Sequence, residues 1–483
     1  MISKDVVDVL LHGSIPALQE LLRSRRCSGV ELTQWYLRRI DAFNHVGPRL
    51  NAVRVLSTHA LEDARRADAD LSAGRSVGAL HGIPVLIKDN VFIAHEYPAP
   101  AGVAALLQFV PRHTATIVER LTAAGAIVLG KTNLTEFADY VADVMPAEFS
   151  SAGGVVRNPH GIAYGRGQGS SVGSAAAVAA AFAPIAIGGE TQNSIQTPAN
   201  YSSVVGFKPS VGMVSRAGII PLVPSQDAPG VLTRSVGDAA LVFDVIAGAD
   251  AHDPVSVLMR RDDRGGMGLQ DLAHVRIGAP RRAMAQRPEF SGVLALFDAA
   301  LAGLARAGAV IIDPCDLPSA EQLQEVRSCV FKTEFKASLD AFLQAHEAPC
   351  GIGSLEALVR WNDSHPEHIP YGQSLLLAAL ETRGLNDPRY RLDRLRDIAL
   401  SRAGGIDAAL LSGNVDVLIA PMGAAAKCTG KAGTPTLAIP VGVDASGVPF
   451  GVTLYTANGK DALLLAVGQL VERAIGDRRL PRL

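Results

Sequence analysis

The chain has 483 residues, 48% of them hydrophobic and 19% charged, and its 45 basic and 47 acidic side chains leave a net charge of -2. That balance excludes the basic footprint of a nucleic-acid binder or of a protein held on an anionic membrane, and charge is scarcer than the roughly one quarter usual in globular chains. The expected partner is a small molecule, with a homodimer left open, and the length suffices for one large core or two ordinary ones.

Met1 to Asp8 carry acidic residues where an export signal is basic and then apolar, so a cytoplasmic protein is expected. From residue 15 to residue 73 apolar side chains recur at three- and four-residue spacing, predicting helices over Pro16 to Arg25, Val30 to Phe43 and His59 to Leu71, with Gly13, Gly29, Gly47 and Gly74 as punctuation. From residue 80 short β-branched runs (Ile83 to Ile87, Ala126 to Leu129, Ile185 to Ile187, Val204 to Phe207) alternate with helical patterns at Thr114 to Ala124 and Ser174 to Phe182, which predicts an α/β sheet. The longest apolar run, Ala175 to Ile187, contains Pro184 and falls short of the ~20 residues that span a bilayer, so no membrane segment is expected. Ser235 with Asp238 three residues on predicts a capped helix that stops at Gly248.

Leu258 to Gln270 is rich in Asp, Arg and Gly and reads as a surface loop, followed by strands at Val275 to Gly278 and Val310 to Ile312. Residues 318 to 403 are predicted mostly helical, a candidate cap. Val415 to Ala420, Thr436 to Val441 and Val452 to Tyr455 then return to buried strands, and Asp461 to Ala474 is a closing amphipathic helix. The sheet is thus expected to draw strands from both sides of the cap. Five dispersed cysteines (Cys27, Cys315, Cys329, Cys350, Cys428), without a Cys-x-x-Cys pair, predict free thiols and no metal site.

Chemistry concentrates in three places. Gly165 to Ser170 holds three glycines ahead of the helical run Ala175 to Phe182, so a flexible loop would present Ser170, Ser171 and their amides at a helix start. The strand Ile185 to Ile187 leads into Gly188-Gly189-Glu190-Thr191-Gln192-Asn193-Ser194, which puts Ser194 on a polar turn beyond a strand edge, where the amides of Thr191, Gln192, Asn193 and Ser194 could converge on an oxyanion. Lys88 ends another buried strand. A serine needs a base to become a nucleophile, and an amine serves as one only when burial or neighbouring cations depress its pKa from roughly 10.4. Asp89, next in sequence, would oppose that if it pointed inward.

Gly82 to Asn90, Leu129 to Phe137, Gly169 to Ala177, Glu190 to Pro198, and Gly206 to Pro209 with Gly212 to Pro221 together resemble the amidase signature family of serine hydrolases, over essentially the whole chain. The resemblance implies a single amidase domain, residues 1–483, on a large twisted mixed β-sheet flanked by helices: a helical N-terminal segment (1–75), a signature core (80–250), a helical cap or substrate region (318–403) and a return to the core sheet (404–483). It also implies a cofactor-free triad of Ser194 as nucleophile, Ser170, entered through a cis Gly169-Ser170 peptide, as proton relay, and neutral Lys88 as base. Thr191 to Ser194 would supply the oxyanion hole, Ser171 would support the loop, and an acyl-enzyme would form during hydrolysis of a small-molecule amide.

Met145 to Val155, Glu190-Thr191, Gln226-Asp227, Glu334 to Lys336 and Pro370 to Gln373 resemble the peptide-amidase-like branch, which implies bulky amides. Three departures stand out. Gln192-Asn193 occupies positions where the family usually carries glycine, Gln168-Gly169 replaces Gly-Gly, and Pro421 to Thr434 is shorter than in that branch.

Other readings compete. Gly169 to Gly173 also fits Gly-x-Ser-x-Gly, which would make Ser171 an esterase nucleophile, but that motif needs a preceding strand and a histidine, and Arg157 to Gly169 is turn-rich. A phosphate-binding loop would end in Gly-Lys-Ser or Gly-Lys-Thr, which Gly165 to Ser174 does not. The same triad could serve a carbamate or oligoamide hydrolase or an acyl transferase, and Gln192-Asn193 could mark a non-catalytic binding homologue.

Overall fold

The computed structural model describes residues 3–75, 78–262, 265–285 and 288–483; within these, the side chains of Ala283, Ala285, Pro288, Glu289 and Cys350 lie outside the described residues, as do Asp263 and Arg264 of the Leu258 to Gln270 loop. Thirteen strands occur among them: β1 (Val53–Leu56), β2 (Pro84–Lys88), β3 (Ile127–Thr132), β4 (Phe149–Ser150), β5 (Gly154–Val155), β6 (Ile185–Glu190), β7 (Val205–Lys208), β8 (Ala228–Thr233), β9 (Arg276–Gly278), β10 (Val310–Ile312), β11 (Val417–Pro421), β12 (Thr436–Val443) and β13 (Pro449–Tyr455). Except for the small hairpin β4-β5, they form one sheet in the order β1-β3-β2-β6-β8-β7-β12-β13-β11-β9-β10. Strands before residue 318 and after 403 share it, as the α/β reading expects.

The sheet is mixed. β2 runs parallel to both β3 and β6, with Ile87 opposite Ile187, whereas β8, β7, β12 and β13 pair antiparallel. Strands covered on both faces read as unbroken apolar runs. Val85, Leu86 and Ile87 accordingly have no exposed surface, and each such side chain contributes about 1.5–3 kcal/mol on burial. The register has a direct consequence for the site. Lys88 at the end of β2 and Gly188 to Glu190 at the end of β6 emerge at the same edge of the sheet, the edge where open α/β sheets hold ligands.

Helices cover the faces. The front end forms Ile15–Arg23, Gly29–Asn44 and Ala60–Ser72, as predicted, with Lys4–His12 added ahead of them. Gly29–Asn44 begins with a capping box: Ser28 Oγ accepts the Glu31 N–H while Glu31 accepts the Ser28 N–H. This segment is not wholly helical. Val53–Leu56 pairs antiparallel with β3, a correction that the short alternation of Val53 to Leu56 inside a helical stretch concealed. The sequence also left β8 unassigned, although it lies between β6 and β7.

The helix Val172–Ala179 is buried along its whole length. Its Gly173 is required by close approach, since a Cβ there would stand 2.7 Å from Ala52 O. Between β10 and β11 the chain is helical, with Ala320–Glu325, Val330–Ala345, Leu355–Ser364, Ser374–Leu380 and Pro388–Ser401, the last running through a π turn at Arg402–Ile406 into Asp407–Gly413. Cys27, Cys315, Cys329 and Cys428 are free thiols. Among the described residues no helix is long and apolar enough to cross a membrane.

Candidate active site

Lys88 is 1% exposed. Its Nζ lies 2.8 Å from Ser170 Oγ, 3.0 Å from Ser171 Oγ and 3.2 Å from Gly189 O. The two hydroxyls differ in what their protons can do. Ser171 Oγ donates to Gly189 O at 3.2 Å and accepts the Gly189 N–H at 3.2 Å, so its own proton is already engaged with the end of β6. Ser170 Oγ has no second partner among the described residues, which leaves its proton to face the lone pair of a neutral Lys88. Ser171 thus fixes the amine, and Ser170 is placed to exchange a proton with it.

Burial pushes the Lys88 amine down to about 7, against the pull of the Asp227, Glu190 and Asp139 carboxylates. Asp89 does not oppose this. Its carboxylate turns away to Arg54, with Nη2 at 2.9 Å and Nε at 2.5 Å, and to Lys131 Nζ at 3.5 Å. The adjacent acid is thereby neutralised by two cations on the β1 side.

Ser170 is fully buried, and the Gly169-Ser170 peptide is cis. The substituted Gln168 serves the loop itself, because its Oε1 accepts the Gly165 N–H at 2.6 Å and closes the glycine-rich turn. Ser170 O accepts the Thr135 N–H at 3.1 Å, tying the loop to the segment after β3. No strand precedes Ser171; turns and irregular chain run from Val156 to it, and no histidine bonds its hydroxyl. The nucleophile-elbow geometry is therefore missing.

Ser194 is 4% exposed and stands at the end of the turn after β6. Its carbonyl accepts the Ser171 N–H at 3.1 Å. Its hydroxyl is not hydrogen-bonded to Ser170 Oγ among the described residues, so the structure joins the two serine segments through backbone while Lys88 and Ser170 meet through side chains. The turn is shaped by Glu190, whose Oε2 accepts the N–H groups of Ile195 at 2.7 Å and Gln196 at 2.9 Å, and whose Oε1 accepts Gln196 Nε2 at 2.8 Å. With those amides taken, and Thr197 N–H bonded to Asn193 O, the N–H groups of Thr191, Gln192, Asn193 and Ser194 have no acceptor among the described residues. Four donors in succession are thus left uncommitted along this turn. Neither Gln192 nor Asn193 takes a positive φ, so residues other than glycine are tolerated here without backbone strain. Thr191 Oγ1 donates to Asp227 Oδ1 at 2.6 Å and Gln192 Nε2 to Gln226 Oε1 at 3.2 Å, while Asn193 Nδ2 holds Gly167 O.

Two cavities flank this arrangement. A cleft of about 540 Å³ contains Ser194, Asn193, Gln192 and Asp139 on one wall and Leu317, Ala320, Leu323, Phe331, Ala424 and Lys427 on the other. The second wall comes from residues 317 to 331 and 424 to 428, where the helix Ala426–Ala432 escaped sequence reading. A smaller chamber of about 230 Å³ is lined by Lys88, Gly189, Asp227 and His252. The branch-like residues divide. Gln226 and Asp227 brace the turn, and Glu334 accepts the Ser225 N–H at 2.9 Å, but Gln373 bonds to Asn362 and Asp363 and lines neither cavity. Sequence reasoning missed Asp139 and the bracing role of Glu190. For Glu190 a signal existed, an acid five and six residues ahead of amides that need an acceptor.

A family model described as Amidase matches residues 31–431. Native peptide amidase from Stenotrophomonas maltophilia is 38% identical, with a TM-score of 0.89 over 97% of this chain and 98% of that one. An amidase family protein from Bacillus anthracis is 31% identical, with a TM-score of 0.90 over 99% and 93%. A probable amidase of Arabidopsis thaliana is 29% identical over 98% of this chain and 91% of its own length.

Proposed function

The chain belongs to the amidase family and is a hydrolase of amide C–N bonds, and we propose that Ser194 is its nucleophile, Ser170 its proton relay and Lys88 its base. The observation that carries this assignment is the 2.8 Å contact between Lys88 and a serine whose proton has no other acceptor among the described residues, at the sheet edge where Ser194 also emerges.

Neutral Lys88 takes the Ser170 proton as Ser170 takes that of Ser194, and Ser194 Oγ adds to the carbonyl carbon. The scheme requires the Ser170 to Ser194 contact to form as substrate closes the site. Negative charge on the carbonyl oxygen meets the uncommitted amides of Thr191 to Ser194, and loss of one such donor typically costs about 10²–10³ in rate. The C–N bond then breaks, the leaving nitrogen receives the proton back through Ser170, and an ester on Ser194 remains. Water, deprotonated along the same path, attacks that ester, frees the carboxylic acid and restores Ser194. Ser171 orients the amine without changing protonation.

The likeness to peptide amidase and the apolar far wall of the cleft support bulky amides over small ones. A carbamate, an oligoamide or an acceptor amine in place of water would use the same steps. We further propose that residues 1–483 act as one unit, with 318–403 as the substrate cap, because both walls of the cleft are needed to enclose an acyl group. Treatment with a fluorophosphonate followed by peptide mass mapping tests the assignment. Stoichiometric labelling of Ser194 is expected, and labelling of Ser171, or none, would sink it.

A further inference from the structure

Asp139 is the one carboxylate on the lining of the cleft that holds Ser194, among the described residues. It follows the short 3₁₀ turn Glu136–Ala138 and takes the left-handed conformation, φ 76°. The Gly169 N–H, one residue before Ser170, acts on its carboxyl and favours the ionised form. No arginine, lysine or histidine lies within ion-pair distance of it among the described residues; Lys88 and the Glu148 carboxylate act on it only at longer range. Burial holds its proton up to about 7, with Glu148 adding to the effect and Lys88 opposing it. A half-buried acid without a counter-ion, facing a substrate cleft, is unfavourable when ionised until a cation arrives. The other charged side chain on the lining, Lys427, donates to Gln324 O at 3.1 Å on the opposite wall.

We infer that Asp139 forms a subsite for a cationic group on the acyl part of the substrate, so that the enzyme favours amides bearing an ammonium close to the scissile carbonyl, such as α-amino amides. This builds on the assignment of Ser194 as nucleophile, since it is Ser194 that fixes where the carbonyl stands. The subsite also touches the base. An ionised Asp139 holds the Lys88 proton more firmly, and an incoming ammonium that neutralises Asp139 removes that hold. A cationic substrate would therefore shift the rise of rate to lower pH than a neutral one.

The test compares kcat/KM for leucinamide and for 4-methylpentanamide, its counterpart without the amine, in the full-length wild-type protein and in Asp139→Asn and Asp139→Glu. Asparagine keeps an acceptor for the Gly169 N–H, so the ratio of the two substrates reports on charge and not on folding. The wild type should prefer the cationic amide by roughly tenfold or more at pH 7, where its α-amine is mostly ammonium, as one charge-assisted contact gives. Asp139→Asn should bring the ratio near one, Asp139→Glu should keep a preference, and the wild-type pH profile should begin at lower pH for the cationic amide. A wild-type ratio near one, or a ratio unchanged in Asp139→Asn, overturns the subsite. If neither amide is turned over, the same pair is compared for protection of Ser194 from a fluorophosphonate, and equal protection overturns it. Labelling of Ser194 with no cation preference would leave the catalytic assignment standing, and absence of labelling would remove that assignment instead.

Discussion

Replacing Lys88 by methionine, which is of similar length and uncharged, should abolish hydrolysis and change how stability depends on pH. The amine falls from 10.5 to about 7 on folding, and at ~1.4 kcal/mol per unit the buried ammonium is disfavoured by roughly 5 kcal/mol. Lys88 is 1% exposed, so solvent screening discounts little of this. Because the folded pKa lies below the unfolded one, the unfolded chain holds more protons between about pH 7 and 10.5, and wild-type stability rises across that window. Methionine removes the slope but also three contacts, to Ser170, Ser171 and Gly189, worth ~1 kcal/mol each. The variant should therefore be about 2 kcal/mol more stable than wild type below pH 7 and about 3 kcal/mol less stable above pH 10.5. Urea unfolding at pH 6.5 and 9.5 reads the change of sign, a swing of about 3 kcal/mol between those two values. In parallel, wild-type kcat/KM should climb toward pH 7 and level off above it. A stability difference that does not move with pH would refute the depressed amine, and with it the neutral base.

Ser194→Ala should lose fluorophosphonate labelling and at least ~10⁴-fold in hydrolysis, with the fold unchanged by circular dichroism. Gly430→Val should slow turnover by roughly 10²-fold, because a Cβ there would stand 2.7 Å from Gln192 Cγ and 2.8 Å from Thr191 O and shift the Thr191–Gln192 backbone; steady-state kinetics well below the variant's own melting transition checks it. Arg54→Met should destabilise by about 3 kcal/mol in urea, since it leaves the buried Asp89 carboxylate with Lys131 alone at 3.5 Å. Alanine at His252, His274, His346, His365 or His368, one at a time, should leave the acylated adduct on Ser194 detectable by mass spectrometry, whereas loss of the adduct in any one would revive a histidine-based mechanism.

Much of this was legible before any coordinates. The β-branched run Ile83 to Ile87 announces a strand with Lys88 at its end, and Ile185 to Ile187 another that opens onto Ser194, because a strand buried on both faces has few sequence alternatives. Three things were not. Val53 to Leu56 is too short to declare itself, and it becomes a strand only because β3 offers an edge. The distinction between Ser170 and Ser171 depends on where each proton goes, which is set by Gly189 O on a strand that is 18 residues away in sequence from Ser171. Asp139 stayed unread because nothing in its neighbours says that the chain turns it toward a cleft whose other wall comes from residues 317 to 331 and 424 to 428. Local pattern reports on elements, while a cavity is a relation between elements far apart in the chain.

That separation has a practical side. Every residue assigned to bond making and breaking lies between positions 88 and 194, whereas the facing surface that an acyl group would meet is encoded more than a hundred residues later. Libraries confined to the later stretch could retune which molecules are accepted while the reactive apparatus stays as it is, and a chimera exchanging only that stretch would be the economical way to move selectivity from one relative to another.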